Sequence, residues 1–447
     1  MRASELAFPA LLFQTLAVAL LFLPLDDAEV AEGLHLHDHL ACDALSASYS
    51  ATGSKLADMF RQYSPSLATV QHDLVKCLWL KTNSRGTASW QVLGSAIRQA
   101  QALGLHLQRN LQNQPSLTAD DAVASVWWDE YRRRLWITLF TWDSHMACIL
   151  SRPRAINLSD CTAEPPAGCD IPRDRLTSLP RPISFSEKPP MFANRLFSYT
   201  LGRKVHEILT TSANKRTVPS YSAVSKFHGE IMSLWDNHHP ALRRKNPDTS
   251  WDATTPLIIQ QREYARVLAT SVLLTLHRDH APLHEESLKI ATRAALALLE
   301  AVGKLLALLP AHQQRVYGFS CHCIDSCLFI AYAVVFLDKM DRDTAEKALL
   351  ATRESALRLD KLADRSPLAR TGFAALRKAE AVMSEHLGLD AVQQSAAGDV
   401  PFAVPSEELE KRVLDFSGPL FDIDSNGLNS RFQPEFYEIE ADGLFEL

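Results

Sequence analysis

Apolar residues recur three to four positions apart along most of this 447-residue chain, which is the spacing of one face of an α-helix. Proline and short polar turns separate the periodic stretches, and Pro310 ends one of them. In the second half the pattern predicts helices at 191–212, 222–237, 256–278, 284–309, 312–338, 343–363 and 367–387. Because 47% of the residues are hydrophobic, a large core can form. We therefore predict an all-α protein with a large multi-helical domain.

The stretch from Asp129 to Pro153 is predicted to be the central helix. Its apolar side chains fall on two faces, which is typical of a helix packed on more than one side. One face carries Leu135, Leu139, Trp142, Met146 and Ile149, and the other carries Trp136, Phe140 and Ala147. Asp129 and Glu130 precede Arg133 and Arg134 by four residues, so surface ion pairs are expected. Pro153 forces Arg152 out of helical geometry and ends the helix.

Upstream of this helix, Trp90–Leu103 is predicted to be amphipathic, with Gly104 as its left-handed C-cap. Arg98 lies on its polar face, where a solvated or ion-paired side chain is favoured over a ligand contact. Residues 108–126 are interpreted as a polar connection, with a helix start at Thr118. The proline-rich residues 152–190 are predicted to form a long loop.

Residues 6–25 are strongly apolar and allow three interpretations: a buried core helix, a signal peptide or a membrane anchor. Pro9, Gln14 and Pro24 interrupt the run, and this favours the core helix. That interpretation predicts that Asp in place of both Leu16 and Leu20 makes the protein insoluble.

The net charge of −6 is unevenly distributed. Residues 407–447 contain eleven acidic and three basic residues, a net charge of −8, so the remainder carries +2. This is not the basic surface of a stand-alone nucleic-acid binder, and we expect no sequence-specific duplex binding by this chain. The eight cysteines are scattered and include no Cys-x-x-Cys pair, which favours a reduced intracellular compartment.

The central segment resembles the middle homology region of fungal zinc-cluster transcription factors. The matching residues are Glu130, Arg132, Arg133, Arg134, Leu135, Trp136, Asp143, Arg152, Pro153, Ile156 and Ile171-Pro172. Ile137 stands where the family usually has a second Trp, and Ser151 stands where it usually has Gly. The stretch TASWQVLGSAIRQAQALGLH is similar to an upstream family block. The resemblance covers roughly residues 1–390.

The resemblance implies a regulatory domain over residues 1–390 and a nuclear location. It also implies that DNA contact and zinc belong to an N-terminal zinc cluster that this sequence lacks. No cofactor is therefore expected here. A small-molecule effector and a second copy of the chain are the partners that it suggests for the helical body, with the extended segment after the central helix packing over the core.

No catalytic, cofactor-binding or metal-binding residue is predicted. His35, His37 and His39 alternate in a polar helix start or loop, which is favoured over a metal site. Cys321, Cys323 and Cys327, with His322, are interpreted as core residues of an apolar helix, because residues two apart on a helix diverge. Arg243, Arg244 and Lys245 are read as a solvated turn rather than a nuclear-localisation signal. The sequence contains no phosphate-binding loop and no nucleophile motif, so a non-enzyme is predicted.

Residues 391–447 form a linker followed by a segment that alternates acids with Phe, Leu, Ile and Tyr. Such alternation is typical of disordered activation segments, and a coactivator or the transcription machinery is the expected partner. We therefore predict a transcription regulator with an acidic activation tail. The alternatives are an intracellular helical enzyme or scaffold, or a protein anchored by residues 6–25. Six cysteines with zinc-cluster spacing, encoded upstream of Met1, would decide for the regulator.

Overall fold

The computed structural model describes residues 7–25, 27–36, 38–61, 65–109, 118–150, 152–213, 221–337 and 339–389. The described residues form thirteen α-helices and no strand, which confirms the all-α prediction. The predicted 391–447 segment lies outside the described residues, as do His37 and Ser151.

The first five helices build the N-terminal layer. They are α1 (Phe8–Leu21), α2 (Ala28–Leu34), α3 (His39–Arg61), α4 (Leu67–Thr82) and α5 (Gly86–Ala102). Helix α1 packs against α3 and α4, and α4 pairs with α5. Gly104 has a positive φ of 68°, and the Leu105 amide donates to the Ala100 carbonyl at 2.9 Å. This is the left-handed cap that the sequence predicted for α5.

Helix α6 (Ala119–Leu150) is the long central helix, and it packs between α5 and α7. It begins ten residues before Asp129, so the interpretation of residues 119–126 as a polar connection was wrong. The predicted start at Thr118 is confirmed, because its Oγ1 accepts the Asp121 amide at 3.2 Å.

The second half contains seven further helices at the predicted places. They are α7 (Ala193–Ala213), α8 (Tyr221–Asp236), α9 (Leu257–Arg278), α10 (Glu285–Leu308), α11 (Tyr317–Tyr332), α12 (Arg342–Asp360) and α13 (Pro367–His386). A π-helical turn, Ala333–Leu337, extends α11. Helix α9 pairs with α10, and α11 packs against α10, α12 and α13.

The C-terminal helices close back on the N-terminal layer. Arg315 Nη1 lies 2.7 Å from the Asp43 carboxylate, and Arg365 donates to the Leu21 carbonyl at 3.1 Å. The Leu368 amide donates to Ser84 Oγ at 3.0 Å. One large apolar core, with a smaller cluster beside Trp251, therefore holds both halves together.

Two helices are apolar enough to be compared with membrane-spanning segments. Helix α1 buries Gln14, Ala17 and Leu20 but exposes Phe8, Leu12 and Leu16. It is therefore a core helix on one face only, and the expectation that Leu16 is buried was wrong. Tyr317–Leu337 has the length and apolarity of a membrane span, but 61% of that window is buried within the fold. A core helix of a soluble domain has the same properties.

Candidate functional site

Glu130 is the centre of a buried ion network on α6. Its carboxylate is fully buried and accepts hydrogen bonds from Arg134 Nε at 2.8 Å, Arg133 Nη2 at 3.1 Å and the Ala167 amide at 3.0 Å. Arg134 also donates to the Cys169 carbonyl at 2.6 Å. The network therefore fixes the long loop after α6 to the helix itself.

The expected pairing of Glu130 with Arg134 is confirmed, although the pair is buried instead of lying on the surface, and the expected pairing of Asp129 with Arg133 was wrong. Asp129 does not bind Arg133; it accepts a hydrogen bond from Arg109 at 2.6 Å. The Arg134 guanidinium lies 4.4 Å from the centroid of the Phe192 ring. Four-residue spacing predicted that Glu130 and Arg134 pair, but it could not predict that the loop covers the pair.

Asp143 fastens the same loop at the other end of α6. Its buried carboxylate accepts the amides of Ala155 at 3.0 Å and Ile156 at 2.9 Å. Burial raises the pKa of Asp143, and these two hydrogen bonds act in the opposite direction. Trp136 is buried, with its ring 5.8 Å from that of His106. Glu130, Arg134 and Asp143, which carry the family resemblance, thus hold the loop to α6 between Ala155 and Cys169.

The cysteine and histidine candidates do not form a metal site among the described residues. Cys321, Cys323 and Cys327 are buried, and burial raises their thiol pKa values to about 12, 11 and 12. His35 lies beyond the end of α2 with a left-handed φ of 54°, whereas His39 begins α3. The core interpretation of the cysteines and the loop interpretation of the histidines agree with these positions.

A cleft lies between α8, α9, α10 and the connection 237–252. We call it the arginine cleft. Its volume is about 620 Å³, within the range of small-molecule sites in proteins. Its apolar lining includes Met232, Trp235, Leu242, Leu273 and Ile290.

Five arginines line the arginine cleft, and they differ in how well they are neutralised. They are Arg243, Arg244, Arg262, Arg266 and Arg293, opposed within the lining by Glu263 and Glu286. Asp236 binds Arg244 through two hydrogen bonds of 3.0 and 2.9 Å, and Asp252 binds Arg262 in the same way at 3.0 and 2.8 Å. Arg266 binds Glu300 at 2.6 Å.

The other two arginines have weaker partners. Arg243 donates only to the Asn246 carbonyl, at 3.1 and 3.0 Å, among the bonds that the described residues form. Arg293 lies 3.8 Å from Glu286, and both side chains are exposed. These two cations keep the capacity to bind an added anion.

A chain of hydrogen bonds leads from this cleft into the core. His228, on the cleft wall, has its Nδ1 3.0 Å from His277 Nε2, and His277 Nδ1 lies 3.0 Å from Ser287 Oγ. Burial lowers the pKa of His277 to about 4 and also lowers that of His228, with Arg293 and Arg244 adding to the effect. The His277 ring is therefore neutral at pH 7, and burial favours the neutral form of His228 as well.

Only part of this cleft was predicted from the sequence. It singled out Arg243 and Arg244 as a basic turn, and the spacing of Arg262 and Arg266 on one face of α9 was a further signal. Their convergence with Arg293 of α10 depends on how three helices pack, which no local pattern encodes. Arg98, the other arginine considered, is exposed on α5 and away from the cleft.

Sequence comparisons find relatives that are named as transcription factors or transcriptional regulators. The transcription factor xilB of Penicillium rubens is 26% identical over 408 residues, which cover 83% of this chain and 58% of that protein. The probable transcription factor sol4 of Alternaria solani is 26% identical over 303 residues, 67% and 50% of the two chains. An uncharacterized transcriptional regulatory protein of Schizosaccharomyces pombe is 26% identical over 265 residues, 56% and 32% of the two chains.

This chain thus spans about a third to three fifths of the length of these curated relatives. No solved structure matches it. A family model described as the fungal specific transcription factor domain matches residues 2–236, which is more than half of the chain. The match includes α1–α8 and the Glu130 and Asp143 clamps. The chain therefore belongs to the fungal specific transcription factor domain family.

Proposed function

We propose that this chain is the regulatory part of a fungal transcription regulator that acts in the nucleus on genes transcribed by RNA polymerase II. The observation that carries the proposal is the family match over residues 2–236, together with relatives whose names describe transcription factors. DNA contact is assigned to a zinc-cluster module, because the chain has no Cys-x-x-Cys pair and a net charge of −6.

The helical body is assigned the role of receiving a signal. A regulator needs a place where a ligand or partner changes the free energy of one conformation relative to another. The arginine cleft is suited to this role, because it lies between three helices and carries both apolar and charged groups. An enzymatic role has less support, since the relatives are named as regulators and the sequence carries no catalytic motif.

The acidic tail is assigned the role of activation. Residues 400–447 contain Phe402, Phe416, Phe421, Phe432, Phe436, Tyr437 and Phe445 among the acids. These aromatic side chains are assigned the contact with a coactivator groove. The acids steer the encounter, and the apolar groups supply most of the affinity.

A reporter assay tests the activation role. Residues 400–447, fused to an unrelated DNA-binding module in a fungal strain, are expected to activate transcription. Replacing Phe416, Leu420 and Phe421 by Ala is expected to reduce that activity more than Asn in place of Asp422 and Asp424. A fusion that is expressed, nuclear and inert would contradict the activation role. Imaging of the tagged full chain tests the nuclear location.

A further inference from the structure

We propose that the arginine cleft binds a small organic carboxylate with an apolar body. This inference deepens the proposed function by naming the class of effector. The regulatory effect of binding rests on the proposed function. The binding itself does not, because it can be measured on the purified chain.

The electrostatics of the cleft favour an anion. The lining has five arginines against two glutamates, and Asp236 and Asp252 neutralise Arg244 and Arg262 from outside the lining. Arg243 donates to one backbone carbonyl, and Arg293 has one hydrogen bond of 3.3 Å to the Lys289 carbonyl and a loose ion pair of 3.8 Å with Glu286. A guanidinium is a planar fork of donors that matches the two oxygens of a carboxylate. We therefore assign Arg243 and Arg293 as the residues that bind the carboxylate of the ligand.

The apolar lining favours a ligand with more than a charge. Trp235, Leu242 and Leu273 are buried and contribute to the cleft, and Met232 and Ile290 extend this surface. An inorganic anion would leave the half-buried side chains of Met232 and Ile290 in contact with water, whereas an alkyl or aromatic body would cover them. The volume of about 620 Å³ leaves room for such a body beside the carboxylate.

The two histidines allow the cleft to recognise a second polar group on the ligand. If Ser287 donates to His277 and His277 donates to His228, then His228 carries its proton on Nε2 and can donate to the ligand. If the chain of donors runs the other way, His228 Nε2 becomes an acceptor. The relay therefore accommodates either a carbonyl or a hydroxyl group without placing a charge in the core.

Titration calorimetry on the full chain tests the proposal, with octanoate and benzoate as probes. Octanamide and benzamide are the neutral controls, and inorganic phosphate is the control for a bare anion. Each carboxylate is expected to bind saturably and at least about tenfold more tightly than its amide or phosphate, because charge-assisted hydrogen bonds are the stronger ones. Equal affinity for the acid and the amide, or tighter binding of phosphate, would overturn the proposal.

Variants locate the site. Arg243→Ala and Arg293→Ala are each expected to weaken octanoate binding about tenfold, since each removes one partner of the carboxylate. Arg98→Ala is the matched control, because Arg98 is an exposed arginine outside the cleft, and it is expected to bind like the parent chain. A loss in Arg98→Ala equal to that in Arg293→Ala would refute the assignment. So would retained affinity in both cleft variants.

The alternative ligand of the arginine cleft is the acidic tail. A peptide of residues 407–447 distinguishes this alternative from a small carboxylate. If this peptide displaces octanoate at lower concentrations than those at which octanoate itself binds, the cleft belongs to the tail and the small-molecule proposal fails. Failure of octanoate binding with an active tail fusion would reject this inference alone. An inert fusion with intact octanoate binding would reject the activation role alone.

Discussion

The ammonium group of Lys81 lies 4.1 Å from the centroid of the Trp142 ring, where α4 meets α6. Lys81 is only 7% exposed and forms no ion pair among those that the described residues make. Burial lowers its pKa to about 8, while burial also lowers the pKa of the nearby His145 and that of His322, the latter to about 4. The buried lysine is thus the main charge of its surroundings at pH 7, facing an aromatic ring instead of a carboxylate.

This arrangement predicts a pH-dependent stability. The unfolded lysine has a pKa near 10.5 and the folded one near 8, so between these values the unfolded state binds more protons. The free energy of unfolding therefore rises with pH across this window, by on the order of 3 kcal/mol from this residue. Urea titrations at pH 7.5, 9 and 10.5 measure the effect.

Lys81→Met is the matched variant. It keeps the length of the side chain and removes the charge, so it is expected to be more stable than the parent chain at pH 7.5. The difference should shrink as the pH approaches 10.5. If Lys81→Met is less stable at every pH by a constant amount, then the contact with Trp142 outweighs the cost of burying the charge.

The Glu130 network predicts unequal roles for its two arginines. Arg134→Ala removes hydrogen bonds to Glu130 and Cys169 and the contact with Phe192, and is expected to cost about 3–5 kcal/mol. Arg133→Ala removes a single, longer hydrogen bond from a more exposed side chain, and about 1 kcal/mol is expected. Shifts in the urea midpoint compare the two variants, and equal losses would contradict the role given to Arg134.

Helix positions were predictable from the sequence because they depend on local spacing. The seven helices of the second half and the Gly104 cap follow from apolar periodicity and one left-handed residue. The environment of Glu130 was not predictable, because the Ala167 amide that it binds lies 37 residues away. The arginine cleft depends in the same way on the packing of α8, α9 and α10. The sequence predicted each of these helices but not how they pack against one another.

Two tryptophans on α6 offer a paired test of the core. Trp136 is 2% exposed, whereas Trp128 is 47% exposed and stacks on Tyr131 with ring centroids 5.6 Å apart. Trp136→Ala leaves a cavity and is expected to cost about 3–5 kcal/mol. Trp128→Ala is expected to cost about 1 kcal/mol or less. Thermal and urea unfolding measure both, and a larger loss in Trp128→Ala would invalidate the assignment of faces on α6.

The last prediction concerns the two faces of α1. Leu20 is 8% exposed and packs in the N-terminal layer, whereas Leu16, one turn earlier, is 40% exposed. Leu20→Asp places a carboxylate at a buried position, so a loss of at least about 3 kcal/mol and poor solubility are expected. Leu16→Asp leaves its charge in contact with water and is expected to change the stability by less than about 1 kcal/mol. The soluble yield and the urea midpoint of the two single variants check this difference. Equal losses would mean that something covers the Phe8–Leu12–Leu16 face in the intact protein, and the one-sided burial of α1 would then be wrong.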